Sequence, residues 1–269
     1  MSDVFPLVLS VFFVPHLLNS AGRLLDTAIV VWAVSVRTPA DLGTASEGEP
    51  VAVEGTVVVD EPAWEARRVV GPAGRPVGAY LWRTTSQSRG ENTIDFDSWT
   101  VQAARSTQDS GLEHGRFSIR TGTEPVRVDP SWLQEQYDTG RLAAIQSGKN
   151  VWIRFRHSLW NAPAVHMTAD ETTRPLDQLV DLFENVDTDG LEDHELDSVP
   201  VRDGDTIAVF GRLGVEDGEH VVRGGDGLPF VLSDQGFDGV QQYLRRRLLK
   251  HGFGVAVPIV AIVAIWTYL

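Results

Sequence analysis

The sequence predicts a mainly β protein, one or two small barrel- or sandwich-like modules with a few helices, flanked by N- and C-terminal transmembrane helices. Three observations predict it. Both ends of the chain are long apolar runs, Val4–Val36 and Phe253–Leu269. Between them lie short stretches in which Val, Ile, Phe or Trp alternates with polar residues, the period of a half-buried strand. Gly- and Pro-rich segments such as Gly71–Gly78 punctuate those stretches, as turns do. The expected organisation is a membrane segment over 1–36, a β-rich domain over 37–251 and a transmembrane helix over 252–269.

The N-terminal run would be about 50 Å long as one helix. His16, Asn19, Arg23 and Asp26 recur in it at spacings of three and four and so form one intramembrane polar stripe. Either a spanning helix ends near Leu18 and an interfacial helix follows, or one long tilted helix packs its stripe against the C-terminal helix. Strands are expected at Glu49–Pro62, Ala79–Thr85, Asp97–Ala104, Gly115–Thr121, Glu124–Pro130, Asn150–Ser158 and Pro163–Ala169. Leu176, Leu179, Val180, Leu182 and Phe183 have helical spacing, so an α-helix is expected over Pro175–Val186. A second β block, Gly204–Ser233, turns at Asp217-Gly218, a strong hairpin signal. Its Val209–Val215 resembles Val53–Val57 loosely, which points to a repeated module. A helix capped by Ser233 or Asp234 then runs into the membrane. The 17 uncharged residues from Phe253 reach the short end of a bilayer span, and Trp266 and Tyr268 suit an interface.

The chain of 269 residues carries 23 Lys+Arg against 37 Asp+Glu, a net charge of -14, and its only lysines are Lys149 and Lys250. Such an acidic, arginine-biased surface suits concentrated salt, so a halophilic source is expected. It also argues against nucleic acid as a partner, because phosphates need a basic face. Against that background the cluster Arg245, Arg246, Arg247 and Lys250 stands out. Basic residues beside a membrane segment mark the cytoplasmic side and attract anionic lipid heads. Membrane lipid is therefore an expected partner, and the soluble domain is expected in the cytoplasm at the cell membrane.

Catalytic and cofactor motifs are not found. With no cysteine, thiol nucleophiles, iron–sulfur clusters and cysteine zinc sites are excluded. The seven histidines show no metal-ligand spacing and no G-x-S-x-G elbow accompanies them. Asn185, Asp187, Asp189 and Gly190 fall at calcium-loop spacing, but Leu196 stands where the bidentate Glu belongs. An acidic loop, including Glu192–Glu195, is the simpler reading. No nucleotide-binding glycine motif occurs. Trp82, Trp99, Trp132, Trp152 and Trp160 read as core anchors. No catalytic residue, metal or cofactor is expected.

Val51–Trp64, Val77–Arg83, Ser98–Ala104 and Gly115–Pro130 resemble the GIDE-domain family of membrane-anchored ubiquitin ligases. So does Val201–Leu249, with its Gly-flanked strand, hairpin and Ser-x-x-x-Phe-Asp helix. The resemblance covers most of Arg37–Lys250, with Arg141–Pro200 matching poorly. It implies a β domain that acts in interaction and regulation, placed by those ligases on the non-cytosolic side, which conflicts with the charge-based orientation. The ligases also carry a zinc-binding RING, and these 269 residues have no cysteine to build one. The expected function is a protein-interaction or regulatory module without intrinsic catalysis, with an unidentified protein partner; homo-oligomerisation is compatible with it. The competing reading is an adaptor or remnant of a ubiquitin-like transfer system with a RING supplied in trans. A third, a transporter subunit, would need the polar stripe to face a partner helix.

Overall fold

The computed structural model describes residues 4–36, 42–72, 74–95, 100–122, 124–137, 139, 141–145, 158–183, 194–225 and 227–268. The chain forms two compact units: Pro39–Gly236, and the two terminal segments Met1–Thr38 with Phe237–Leu269. The first unit is mainly β and holds two sheets, as expected from the alternating stretches.

The larger sheet closes on itself. Strand β1 (Pro50–Glu61) pairs antiparallel with β9 (Thr206–Glu216) through Pro50–Thr56, then with β4 (Arg116–Thr121) from Thr56 onward. β4 pairs with β5 (Glu124–Asp129), β5 runs parallel to β10 (Glu219–Arg223), and β10 returns to β9. The ring is therefore β1-β4-β5-β10-β9-β1. Numbered within the ring, its strands run 1-2-3-5-4-1 with the third and fifth parallel, the connectivity of the five-stranded Greek-key OB barrel. Closure leaves these strands no free edge along the ring. The Val53–Val57 and Val209–Val215 segments, read as a repeated module in the sequence, are neighbours in this one barrel, where Val53 faces Val209 across the ladder. Beyond β9, β11 (Val231–Ser233) and the two-residue β6 (Val165–His166) extend the sheet.

Alternation explains which residues fill the barrel. Val51, Val53 and Val57 of β1, Phe117 and Ile119 of β4, Val126 and Val128 of β5, and Val209 and Leu213 of β9 are buried in one cluster. Side chains at i and i+2 share a face, so the intervening Arg116, Ser118, Arg120 and Arg127 belong to the outer surface.

The second sheet, β3-β2-β8-β7, comprises β3 (Thr100–His114), β2 (Val77–Asp95), β8 (His194–Arg202) and β7 (Thr172–Pro175). β2 separates two cores: Ala79 and Leu81 join the barrel cluster, whereas Tyr80 and Trp82 anchor a second one with Val69, Leu142, Leu179 and Leu196. Trp82 is thus the core anchor expected of it. Trp132 and Trp160 are partly buried against the barrel cluster, while Trp99 and Trp152 lie outside the described residues. The segment expected as an α-helix is a 3-10 helix over Leu176–Leu182. Its spacing explains the outcome: Leu176, Leu179 and Leu182 are all buried, and residues three apart eclipse on one side of a three-fold helix. The short helices α2 (Ala66–Val69) and α3 (Ser131–Tyr137) also belong to this unit. The strand expected at Asn150–Ser158 and the calcium-like spacing from Asn185 to Gly190 lie outside the described residues, apart from Ser158.

The second unit consists of two 33-residue helices, α1 (Val4–Val36) and α4 (Gly236–Tyr268). Both are long and apolar enough to cross a membrane. They pack along one seam: Ser20, Thr27, Val30 and Ala33 are buried on α1, and Val240, Leu244 and His251 on α4. A Cβ on Gly254 would stand 2.9 Å from the Ser20 hydroxyl, and Arg23 lies within reach of the Arg247 charge. Moving up α1 from Ser20 to Arg23 thus moves down α4 from Gly254 to Arg247, so the pair is antiparallel.

Candidate binding groove

A groove of 680 Å³ lies on the outer face of the barrel, lined by β1, β4, β5 and the turn between β9 and β10. Its polar wall follows from strand alternation. Arg116, Ser118 and Arg120 project from β4 and Arg127 from β5, opposite the buried Phe117, Ile119, Val126 and Val128. Val58, Asp60 and Glu61 form the β1 side, and Gly218, Glu219 and His220 close one end. Asp217 and Gly218 both have positive φ, 52° and 83°, as the two central residues of a tight type I′ hairpin turn require.

The groove is charge-balanced, with Arg116, Arg120 and Arg127 against Asp60, Glu61 and Glu219 in its lining. Arg116 pairs with Glu219 at 2.7 Å, Arg127 with Glu216, and Glu216 also with Arg223 at 2.6 Å. The Ser118 hydroxyl donates to Asp60 at 3.4 Å. The Arg116–Glu219 pair is solvent-facing and adds little stability on its own, whereas Arg127 and Glu216 are half-buried. They set the arginines of β4 and β5 between carboxylates of the flanking strands. In OB barrels, strands two and three with the adjoining loops form the ligand face; here those strands are β4 and β5.

Other polar constellations have structural tasks. Asp197, fully buried, accepts Arg83 Nε at 2.9 Å and the Thr173 hydroxyl at 2.8 Å. Arg83 also reaches Glu171 at 2.8 Å and stacks on Trp160, 4.4 Å from its ring centre. Burial raises the Glu171 carboxyl above its ordinary range; Arg83 opposes this and the adjacent Asp197 charge adds to it. Glu113, buried, accepts the Leu142 N–H at 2.7 Å, and burial raises its carboxyl too. His114, Ser131 and Asp129 adjoin one another in the wrong order for a triad. The Ser131 hydroxyl sits in the middle, 2.6 Å from Asp129 and 3.3 Å from His114, so the carboxylate rather than the imidazole takes its proton. Asp129 also accepts the Ser131 N–H at 3.0 Å and thereby opens α3. Among the described residues no group of three His, Asp or Glu is placed to hold a metal.

The sequence-derived site residues all fall on the helix pair. Arg245, Arg246 and Lys250 are exposed on the back of α4, whereas Arg247 turns half-buried toward the seam and donates to the Tyr243 hydroxyl at 2.6 Å. Of the polar stripe, Asn19 is exposed while Arg23 and Asp26 are half-buried. The His16 side chain lies outside the described residues. Ser20 and Thr27, beside the stripe, are buried in the seam, and the Thr27 hydroxyl donates to the Arg23 carbonyl at 2.7 Å. α1 runs as one continuous helix over Val4–Val36, and its buried positions are Ser20, Thr27, Val30 and Ala33 rather than the stripe residues. The groove arginines were missed, although "RFSIRT" places Arg116, Ser118 and Arg120 on one side of a strand, and "EPVRVD" carries Arg127. No protein-family model, curated protein or solved structure matches the chain.

Proposed function

We propose that the protein is a membrane-anchored binding module: α1 and α4 hold it in the cell membrane, and the barrel groove takes a protein partner. The single observation that carries this reading is the groove on the outer face of a closed barrel, lined by three arginines and three carboxylates. Three arginines against three carboxylates give no net field for a phosphate chain, whereas a polypeptide of mixed charge complements them. The reading agrees with the resemblance to the GIDE domain, a regulatory β domain of membrane ligases. No cysteine is present in these 269 residues, so zinc-RING chemistry would have to come from another chain. The exposed Arg245, Arg246 and Lys250 support a cytoplasmic domain beside anionic lipid, and the acidic surface suits a halophilic cell.

The test is Arg120→Glu in the full-length protein. Arg120 makes no ion pair among the described residues, so reversing it turns the balanced groove acidic by two charges while breaking no such contact. Crosslinked partner capture from native membranes should fall with Arg120→Glu and persist with Glu135→Arg on α3. Equal capture by both variants would refute the groove. Protease protection in intact against lysed cells reads the orientation separately.

A further inference from the structure

The seam between α1 and α4 holds two guanidinium groups. Arg23 of α1 and Arg247 of α4 are both half-buried there, and the charge that acts on Arg23 is that of Arg247. Arg23 Nε is buried with no hydrogen-bond acceptor. We propose that this pair is a binding site for the phosphate of an anionic lipid, at the boundary between hydrocarbon and headgroups. The inference rests on the membrane-anchored reading.

Charge is the first argument. An arginine does not lose its proton in a protein, so two of them in one seam can relieve their repulsion only with an anion. The acidic residue at these levels is Asp26, half-buried one turn from Arg23. Over Leu17–Val36 and Val240–Gly252 it stands alone against Arg23, Arg245, Arg246, Arg247 and Lys250. The Tyr243 hydroxyl accepts Arg247 Nη1 at 2.6 Å and holds that guanidinium on the seam side, apart from the exposed Arg245 and Arg246. Guanidinium forks match pairs of phosphate oxygens, and basic pockets between membrane helices hold phosphorylated headgroups.

Depth is the second argument. Ser20 stands opposite Gly254 and the helices are antiparallel, so Arg23 lies level with His251 and Arg247 with Thr27. Beyond the Ser20–Gly254 contact, α1 has no charged residue over Val4–Pro15 and α4 none over Gly252–Tyr268, as hydrocarbon requires. On the other side of that contact α4 exposes Gln241, Gln242, Arg245, Arg246 and Lys250, which need water or headgroups. The arginine pair thus stands at the first level where headgroup phosphates are met. The helices touch closely just beneath it, where a Cβ on Gly254 would come within 2.9 Å of the Ser20 hydroxyl. The seam is closed on its hydrocarbon side, and the phosphate reaches the pair from the headgroup side. At such a boundary the local dielectric is low, which magnifies both the repulsion of the bare pair and its attraction for an anion. The exposed cluster on the back of α4 differs, because it attracts anionic lipid without a fixed geometry.

The test is native mass spectrometry of the full-length protein, released from detergent micelles that hold equal amounts of phosphatidylglycerol and phosphatidylcholine. The parent chain should retain phosphatidylglycerol in preference to phosphatidylcholine. Retention of neither lipid, or of both equally, overturns the site without recourse to any variant. Arg23→Gln should weaken retention about tenfold or more, as loss of a charge-assisted hydrogen bond does, while Arg245→Gln should leave it unchanged. Equal weakening by the two variants overturns the site in favour of diffuse attraction. Excess inorganic phosphate should not displace the lipid; displacement would assign the pair to a free anion and overturn the lipid. Alkaline carbonate extraction of native membranes reads the anchor independently: release of the chain refutes anchoring, whatever the lipid retention shows, and a chain that stays in the membrane sustains it.

Discussion

Asp197→Ala tests what fastens β2, β8 and β7 together. The carboxylate is fully buried and receives Arg83 Nε and the Thr173 hydroxyl. Removing one partner of a buried ion pair costs about 3–5 kcal/mol, because the other charge stays behind. Two features place this site at the lower end. Arg83 keeps Glu171 at 2.8 Å and the face of Trp160, and Thr173 is exposed, so its hydroxyl can turn to water. The expected loss is about 3 kcal/mol, and at about 2–4 °C per kcal/mol for a domain of this size the melting temperature should fall by about 6–12 °C. Tryptophan fluorescence during thermal unfolding of the full-length protein in detergent reads it. Glu171→Ala is the comparison: its side chain is 38% exposed, and it should cost under about 1 kcal/mol. The double variant Arg83→Met with Asp197→Leu should recover much of the loss, since a packed apolar pair replaces the charges. Equal losses for Asp197→Ala and Glu171→Ala would refute the assignment of Asp197 as the buried partner.

Three further outcomes are expected. Gly111→Ala would place a Cβ 2.5 Å from Trp82 Cζ2, and Trp82 is fully buried, so overpacking should cost about 1–3 kcal/mol in a urea titration. Gly218→Val forces a branched residue to a φ of 83°, costs about 1–2 kcal/mol, and should weaken partner capture, because Gly218 lines the groove. Glu113→Gln should flatten the pH dependence of stability. The unfolded carboxyl titrates near 4.5 and the folded one higher. Between the two values the unfolded chain releases a proton that the folded chain keeps, so stability falls as pH rises through that window and stays lower above it. Urea midpoints measured from pH 4 upward should show this slope in the parent. In the variant a reduced slope of the same sign should remain, contributed by Glu171, which burial also raises.

What was legible in the sequence is what alternation and turn chemistry encode locally. β1, β4, β5 and the hairpin at Asp217-Gly218 each announce themselves through a period of two or a dipeptide that accepts positive φ. β8 did not, although Leu196–Val201 are all buried. Asp197 and Ser198 interrupt its apolar pattern and Pro200 argues against a strand interior; only the Arg83 and Thr173 contacts make a buried carboxylate tolerable there. The helix expected from Pro175 tightens to a 3-10 helix because its leucines sit three apart against a flat core. Ring closure was hidden for another reason. It depends on β1 changing partner at Thr56 and on the parallel β5–β10 pair, which are long-range facts without local signature. The groove inherits that opacity: the outward strand positions of its arginines are readable, but the meeting of Arg116 and Arg127 with Glu219 and Glu216 follows only from closure.

Closure also brings the end of the β domain back to its first strand. The chain enters the barrel through β1, whose Pro50 pairs with Arg212, and leaves at Gly236, where a Cβ would stand 3.1 Å from the Glu54 carboxylate. The exit therefore lies against the entry strand, four residues inside it. Gly236 itself has a φ of 65°, a conformation that glycine adopts without strain, and α4 begins at that residue. The barrel's stability and the hairpin's seam then depend on separate residue sets. Substitutions along the seam, such as Thr27→Val at a buried position of α1, should leave the thermal unfolding of the barrel unchanged. A shifted unfolding midpoint in Thr27→Val would refute that separation.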